Sequence, residues 1–234
     1  MNKTIKDIIF IAALAVIILP FVFSDAAYQW YIGSNTAHPY LMAFAKFAIL
    51  AIWGEMAGLR IKTGAYSYPG FGMAARMIVW GLFGIWIAFA MKVFAAGAPR
   101  VMDTLGLEGI NDAMKGGFTY QKLIGAFSIS FMLNTLFAPV FMTLHKITDS
   151  HIAEHKGSLK ALITPIKMKE NFVNLNWAVQ WGFVFKKTIF LFWIPAHTIT
   201  FLLPPVFQVL FAAALSIFLG LFLSIAAILG NKKA

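Results

Sequence analysis

Six long apolar stretches in 234 residues constrain this chain more than any other feature. A membrane-crossing helix needs about 20 mostly apolar residues. Runs at about 8–24, 39–59, 76–97, 121–145, 184–203 and 206–230 meet that length or come close. Only 12% of the residues are charged and the mean hydropathy is +0.78, whereas a soluble domain is roughly 25% charged. So little charge cannot solvate a soluble fold of this size, and it excludes a disordered chain as well. The absence of cysteine excludes a disulfide scaffold and thiolate metal ligation. No Gly/Ser-rich or Pro-rich linker divides the chain, so residues 1–234 read as one integral membrane domain. The expected fold is all-α, a polytopic transmembrane helix bundle of about six spans.

The net charge of +10 reports orientation. With the N-terminus in the cytoplasm, Lys3, Lys6, Arg60, Lys62, Arg76, Lys146, Lys156, Lys160, Lys167, Lys169, Lys186, Lys187, Lys232 and Lys233 all fall inside. Only Arg100, Lys115 and Lys122 fall outside, opposed by Asp103, Glu108 and Asp112, and Lys46 and Lys92 lie within spans. An excess of Lys and Arg in each inner loop predicts that both termini are cytoplasmic. Because the basic residues follow topology, no nucleic-acid partner is expected. The first run also has signal-peptide features, with Lys3 and Lys6 before it and small residues at Ser24–Ala27 after it. Its apolar region of about 16 residues exceeds the usual ~7–15, and it reads as a retained helix.

The connections carry ordinary turn chemistry. A Pro-Gly turn lies in Tyr66–Gly72, and Pro204–Pro205 leaves room only for a tight reversal between the last two spans. The outer stretch Val101–Met114 is amphipathic. In the long inner connection, Glu170–Phe183 mixes Trp and Phe with Asn and Gln, as an interfacial amphipathic helix with an aromatic anchor would.

Polar groups inside an apolar bundle are the default functional candidates, because a charge at the bilayer centre costs about 2.5–3.5 kcal/mol on insertion scales. Lys46 and Glu55 lie on span two, nine residues apart and on opposite faces. Glu55 carries two readings: an interfacial salt bridge near Arg60 and Arg76, or a cation-attracting site at a pore mouth. Asn134 near the middle of span four, beside Thr135 and below Ser128 and Ser130, reads as a helix–helix hydrogen-bonding group or as lining. His197, Thr198 and Thr200 follow Pro195, which frees a carbonyl near Leu191 for a Ser or Thr hydroxyl. With Gln208, the candidate lining is Lys46, Glu55, Asn134, His197, Thr200 and Gln208.

In His145-Lys-Ile-Thr-Asp149-Ser-His151-Ile-Ala-Glu154-His155, His151 and His155 have a spacing that can ligate one metal. A chain with five His and one such pair lacks the repeated boxes of a membrane di-iron enzyme, so the stretch reads as a solvated helix end. No phosphate loop, GxSxG or HExxH is present. The chain reads as a non-enzyme, without a cofactor.

The C-terminal third resembles the Mpv-seventeen/peroxisomal membrane protein twenty-two family. That family carries Trp-Pro, a Gln three residues after the Pro, an Asn-Phe pair, and a Pro four residues beyond the Phe. Here Trp193, Phe201 and Pro205 match in register, the first Pro is displaced to Pro195, and His197 and Thr200 take the Gln and Asn positions. Gly54-Glu55 stands where the family has Gly-Asp, and Arg76, Met77, Gly81 and Gly84 follow the next helix's pattern. Phe137–Pro139 resembles a third element, with Leu133 and Asn134 at its Asp-Gln pair, and Phe218–Ser224 is similar to the final helix. Ile85, Ala88 and Ala90-Met91 depart from the pattern, and the first span has no family counterpart.

The resemblance implies a channel-like pore of weak selectivity for small solutes or ions. A structural or lipid-interacting membrane protein without transport is the alternative, motivated by 24 Phe and 7 Trp. A metalloenzyme using the His145–His155 stretch is the least favoured. The expected partners are the lipid bilayer and a small solute or ion. Small residues at Ala212–Ala214, Ser216 and Gly220 offer a packing stripe, within the chain or to a second copy in a homo-oligomer. The expected location is the cytoplasmic (inner) membrane of a prokaryote, since neither an Arg-rich transit peptide nor a peroxisomal tripeptide is present.

Overall fold

A computed structural model describes the backbone of residues 3–231 and the side chains of residues 4–218. It is all-helical, with no strand among the described residues. Four helical stretches, Thr4–Phe23, Pro39–Thr63, Met73–Thr104 and Tyr120–Glu154, are long and apolar enough to cross a membrane. The chain divides into two units, Met1–Met42 and Ala43–Ala234.

In the first unit, helix α1 (Lys3–Phe23) ends just after Pro20, and α2 (Asp25–Ala37) follows almost at once. Residues 25–37 lie between the first two expected spans. They form a helix because Ser24 caps it, accepting from the Ala27 N–H at 3.3 Å, while Asp25 complements the helix dipole. The Phe21 ring packs against Trp30 and Tyr31, with centroids 6.2 and 5.7 Å away. Helix α3 (Pro39–Thr63) opens on Pro39, whose missing N–H costs nothing at a helix start.

In the second unit, glycines set the helix crossings. Helix α4 (Met73–Thr104) meets α3 at Gly84, where a Cβ would lie 2.7 Å from the Ala43 carbonyl oxygen. The last helix has its own close crossing on α3. A Cβ at Gly54 would lie 2.9 Å from both the Ser216 oxygen and the Ile217 Cα. Ser216, one of the small residues expected to pack on a neighbouring helix, therefore packs within the chain. Gly220 and the family-like residues from Leu219 to Ser224 lie outside the described side chains.

The short α5 (Ile110–Ala113) stands on the Asp103 carboxylate, which accepts from the Ile110 N–H at 2.8 Å. The amphipathic stretch Val101–Met114 is thus two pieces, the end of α4 and this turn. Next come α6 (Tyr120–Met132), a π-helical segment π1 (Leu133–Phe137) and α7 (Ala138–Glu154), one continuous helix. At ~1.5 Å per residue this helix is about 52 Å long, well beyond a hydrocarbon core of about 30 Å. It outruns the expected span 121–145 and carries His145, Asp149 and His151 on a regular helix.

A 3-10 turn (Leu159–Leu162), α8 (Met168–Val173) and α9 (Trp177–Val179) lead into a second π segment, π2 (Gln180–Trp193). Glu170–Phe183 is therefore not one interfacial helix. Asn176 breaks it by capping α9, its side chain accepting from the Val179 N–H at 3.1 Å. Segment π2 runs into α10 (Ile194–Leu202), and α11 (Pro205–Asn231) follows after the expected tight reversal. The fifth expected span, 184–203, falls on π2 and α10. It is not among the four long apolar stretches, since Lys186, Lys187 and His197 lower its hydropathy. Within the described side chains, the sixth is apolar over Pro205–Phe218.

Both π segments end two residues before a proline. The N–H of Ala138, before Pro139, donates to Leu133 five residues back, and that of Ile194, before Pro195, donates to Ile189. In an α-helix a proline ring clashes with the carbonyl four residues back. Widening the preceding turn to a five-residue repeat relieves that clash. At 14 residues, π2 is far longer than the single-turn bulges in which π geometry is usually found.

Candidate functional site: an ion-pair cluster and a polar seam

The six lining candidates fall in four places. Glu55 joins a charge cluster at the ends of α3, α4 and α7. Arg76, in the first turn of α4, places Nη1 2.9 Å from Glu55 Oε2 and also against Asp149 Oδ1. Trp80, one turn further on, donates from Nε1 to Glu55 Oε1 at 2.7 Å. His145 completes the group, with Nε2 3.5 Å from Glu55 and 3.9 Å from Asp149, and its ring centroid 4.4 Å from that of Trp80. Glu55 forms its salt bridge with Arg76. Arg60 instead donates to the Gly64 carbonyl at 2.9 Å.

The cluster is held from the loop side as well. Arg76 Nε donates to the Phe71 carbonyl at 2.8 Å, and the guanidinium lies 5.0 Å from the Phe71 ring centroid. Phe71 closes the expected Pro-Gly turn. Its N–H bonds Tyr68 O at 3.0 Å, and Gly70 takes the positive φ that a type II turn needs. Gly72 and Gly157, both at φ +72°, then approach so closely that a Cβ at Gly72 would lie 2.6 Å from Gly157 Cα. This contact anchors the loop on the end of α7. A pocket of about 320 Å³ beside it is lined by Tyr68, Pro69, Gly70, Ala153 and Lys156, none of them a sequence-derived candidate.

Glu55, His145 and Asp149 each offer a ligand atom, all within 4.8 Å of one another. The chemistry of the set disfavours a metal, because Arg76 Nη1 already bonds both carboxylates and a divalent ion would sit beside a fixed cation. Nor is the stretch His145–His155 a solvated helix end. His151 is buried, and its Nε2 faces the carbonyls of Ala161 at 3.1 Å and Thr164 at 3.2 Å. His155 Nδ1 bonds the His151 carbonyl at 2.9 Å. Among the described residues no third ligand joins His151 and His155.

Asn134, His197 and Thr200 share the second place, a polar seam between α6–π1 and α10, which pack extensively on each other. Asn134 is 2% exposed and donates to the Ser130 carbonyl at 2.8 Å. Ser130 donates across to the Ile194 carbonyl at 2.7 Å, which also accepts from Thr198 at 2.8 Å. Thr200 donates to Ala196 at 3.0 Å, so at its 3.3 Å contact with His197 Nδ1 the ring nitrogen is the donor. The hydroxyls near Pro195 thus bond Ile194 and Ala196, not the Leu191 carbonyl expected from the sequence. Trp193 stacks on His197 at 5.4 Å, and its Nε1 is buried without a protein partner among the described residues.

The third place is the reversal before α11. Gln208 Nε2 donates to the Leu203 carbonyl at 3.0 Å and so holds that turn. The fourth place is Lys46, buried on α3 at 8% exposure. The family-like residues divide in the same way. Gly54 is the α3–α11 crossing, and Pro139 and Pro195 end the π segments. Phe201 is fully buried, Trp193 flanks His197, and Pro205 opens α11. Sequence reading missed Trp80, and it did not join His145 and Asp149 to Glu55. The available signal was their i, i+4 spacing on one helix face, at the inner depth already assigned to Glu55 and Arg76. Comparison with protein-family models, with curated proteins and with solved structures finds no match to this chain.

Proposed function

We propose that the chain is a six-span membrane protein with both termini on the cytoplasmic side, acting as a narrow channel-like pore of weak selectivity for small solutes or ions. One observation carries this reading: Ser130, Asn134, His197 and Thr200 form a buried polar seam inside otherwise apolar helices. Polar side chains at that depth are costly and mark the paths along which solutes cross. The seam groups bond mostly to one another and to nearby carbonyls, which fits a closed path. The Glu55–Arg76–Asp149 cluster lies at the inner mouth in this reading. Membership of the Mpv-seventeen/peroxisomal membrane protein twenty-two family is part of the proposal and rests on Gly54, Glu55, Pro139, Trp193, Pro195, Phe201 and Pro205. So is a location in a prokaryotic cytoplasmic membrane.

A second reading, a lipid-interacting protein without transport, draws on the large exposed apolar side chains, Phe118, Leu136, Leu191 and Ile163 among them. Flux from proteoliposomes decides between the two. The pore reading expects release of a panel of small ions and metabolites faster than from empty vesicles, and an altered rate for Asn134→Leu. Folded protein that releases nothing at any voltage overturns the pore and leaves the lipid-interacting reading.

A further inference from the structure

The connection from Lys156 to Lys187 carries a surface that the pore does not use. Lys160, Lys167, Lys169, Lys186 and Lys187 are all exposed there, and Glu170 is the one acidic residue in the stretch. Among the described residues, only Lys167 of these five pairs with a carboxylate, Glu170 at 3.4 Å, and Lys186 lies over the Trp181 ring at 6.0 Å. Large apolar side chains stand exposed between these lysines: Ile163 at 85%, Val173 at 66%, Trp181 at 58% and Phe172 at 47%. The surface is built rather than loose. Asn171 and Leu175 are buried beneath it, Trp177 Nε1 donates to the Phe172 carbonyl at 2.9 Å, and Asn176 caps α9.

We propose that this segment is a recognition surface for acidic phospholipid headgroups, seated at the cytoplasmic face of the bilayer. The argument is one of complementarity. Along the chain, exposed apolar side chains alternate with exposed ammonium groups, and Lys186 lies within 6.0 Å of the Trp181 ring. A leaflet edge matches both, offering acyl chain and phosphate at adjacent depths. The stretch overlaps the start of π2, which carries Trp181, Lys186 and Lys187, and in the six-span reading that helix continues into the membrane. The inference rests on the six-span reading, which places residues 146–183 on the cytoplasmic side and Lys186 and Lys187 at the inner end of span five.

The test uses the full chain in nanodiscs of equal parts phosphatidylcholine and phosphatidylglycerol, with native mass spectrometry of the lipids retained. Wild type is expected to retain phosphatidylglycerol preferentially. Replacing all five lysines by Gln is expected to abolish the preference, with about a fivefold loss for each lysine at the headgroup level. Lys115→Gln with Lys122→Gln, outside in the same reading, is expected to leave it intact. An undiminished preference in the five-lysine variant, or none in wild type, overturns the inference. Alkaline carbonate extraction separates this from the larger reading. Wild type that leaves the membrane fraction overturns the membrane assignment and this inference together. Wild type that stays embedded without headgroup preference overturns this inference alone.

Discussion

Glu55 and Arg76, on neighbouring helices, form an ion pair of 2.9 Å in which the same guanidinium nitrogen also serves Asp149. Their side chains are 20% and 11% exposed, so the pair is largely withdrawn from water. Removing the shared cation leaves two carboxylates facing each other. Arg76→Ala is expected to cost about 3–5 kcal/mol, the usual penalty for breaking a buried pair from one side. Arg76→Lys keeps the charge but loses the planar fork that reaches the Phe71 carbonyl as well, and falls between. Unfolding in mixed micelles measures both. An Arg76→Ala variant as stable as wild type would show that the cluster is solvated.

Gly54 tests the crossing of α3 on α11. The atoms that a Cβ would strike, Ser216 O and Ile217 Cα, are backbone, so relief needs movement of a whole helix. Gly54→Ala is expected to destabilise by about 1–3 kcal/mol, the range for overpacking. Gly97→Ala is the control: nothing lies within 4 Å of its Cβ, and it is expected to gain about 0.5–1 kcal/mol from helix propensity. Melting temperatures that move the same way in both variants would refute the close crossing.

How far the sequence reaches is visible in particular residues. Helix positions follow from hydropathy, because a bundle in lipid must bury its backbone polar groups in helices and fill them with apolar side chains. Depth brings Glu55 near both Arg60 and Arg76 but does not choose between them. Nor does it bring Asp149 and His145 to the cluster, since their approach depends on how α7 lies against α4. The π segments are also hidden. Both segments are built from the same residue types as the α-helices around them, so composition gives no sign of the wider winding. Pro139 and Pro195 are the legible traces of where each segment ends. Residues 25–37 were missed for a simpler reason: the Ser24-Asp25 cap was present, but the stretch is too polar to register as a span.

The seam gives a coupled pair. Ser130 bonds Ile194 across helices, and Asn134 bonds Ser130. Interhelical hydrogen bonds in membrane proteins average about 0.6 kcal/mol and reach about 1.7. Ser130→Ala is expected near the upper figure, because it also deprives Asn134 Nδ2 of its 3.3 Å contact. The double variant with Asn134→Ala is expected to cost less than the two single changes added. Strict additivity in that cycle would mean that the two side chains act independently.

His151 fastens the 3-10 turn to α7. Two carbonyls, Ala161 and Thr164, face its Nε2, so that nitrogen carries the proton and the ring acts as a clasp between residues ten and more apart. Among the described residues His155 bonds only the His151 carbonyl, one turn back. His151→Ala is therefore expected to loosen residues 158–166 locally while the bundle stays folded. Loss of such a buried bond costs about 1–3 kcal/mol, which converts to roughly 5- to 150-fold more of the open form. Limited trypsin digestion reads this directly, because cleavage follows the open population when closing is fast. Cleavage after Lys160 and Lys167 should accelerate by that factor in His151→Ala and stay at the wild-type rate in His155→Ala. Equal rates in all three proteins would mean that the turn is held without the His151 ring.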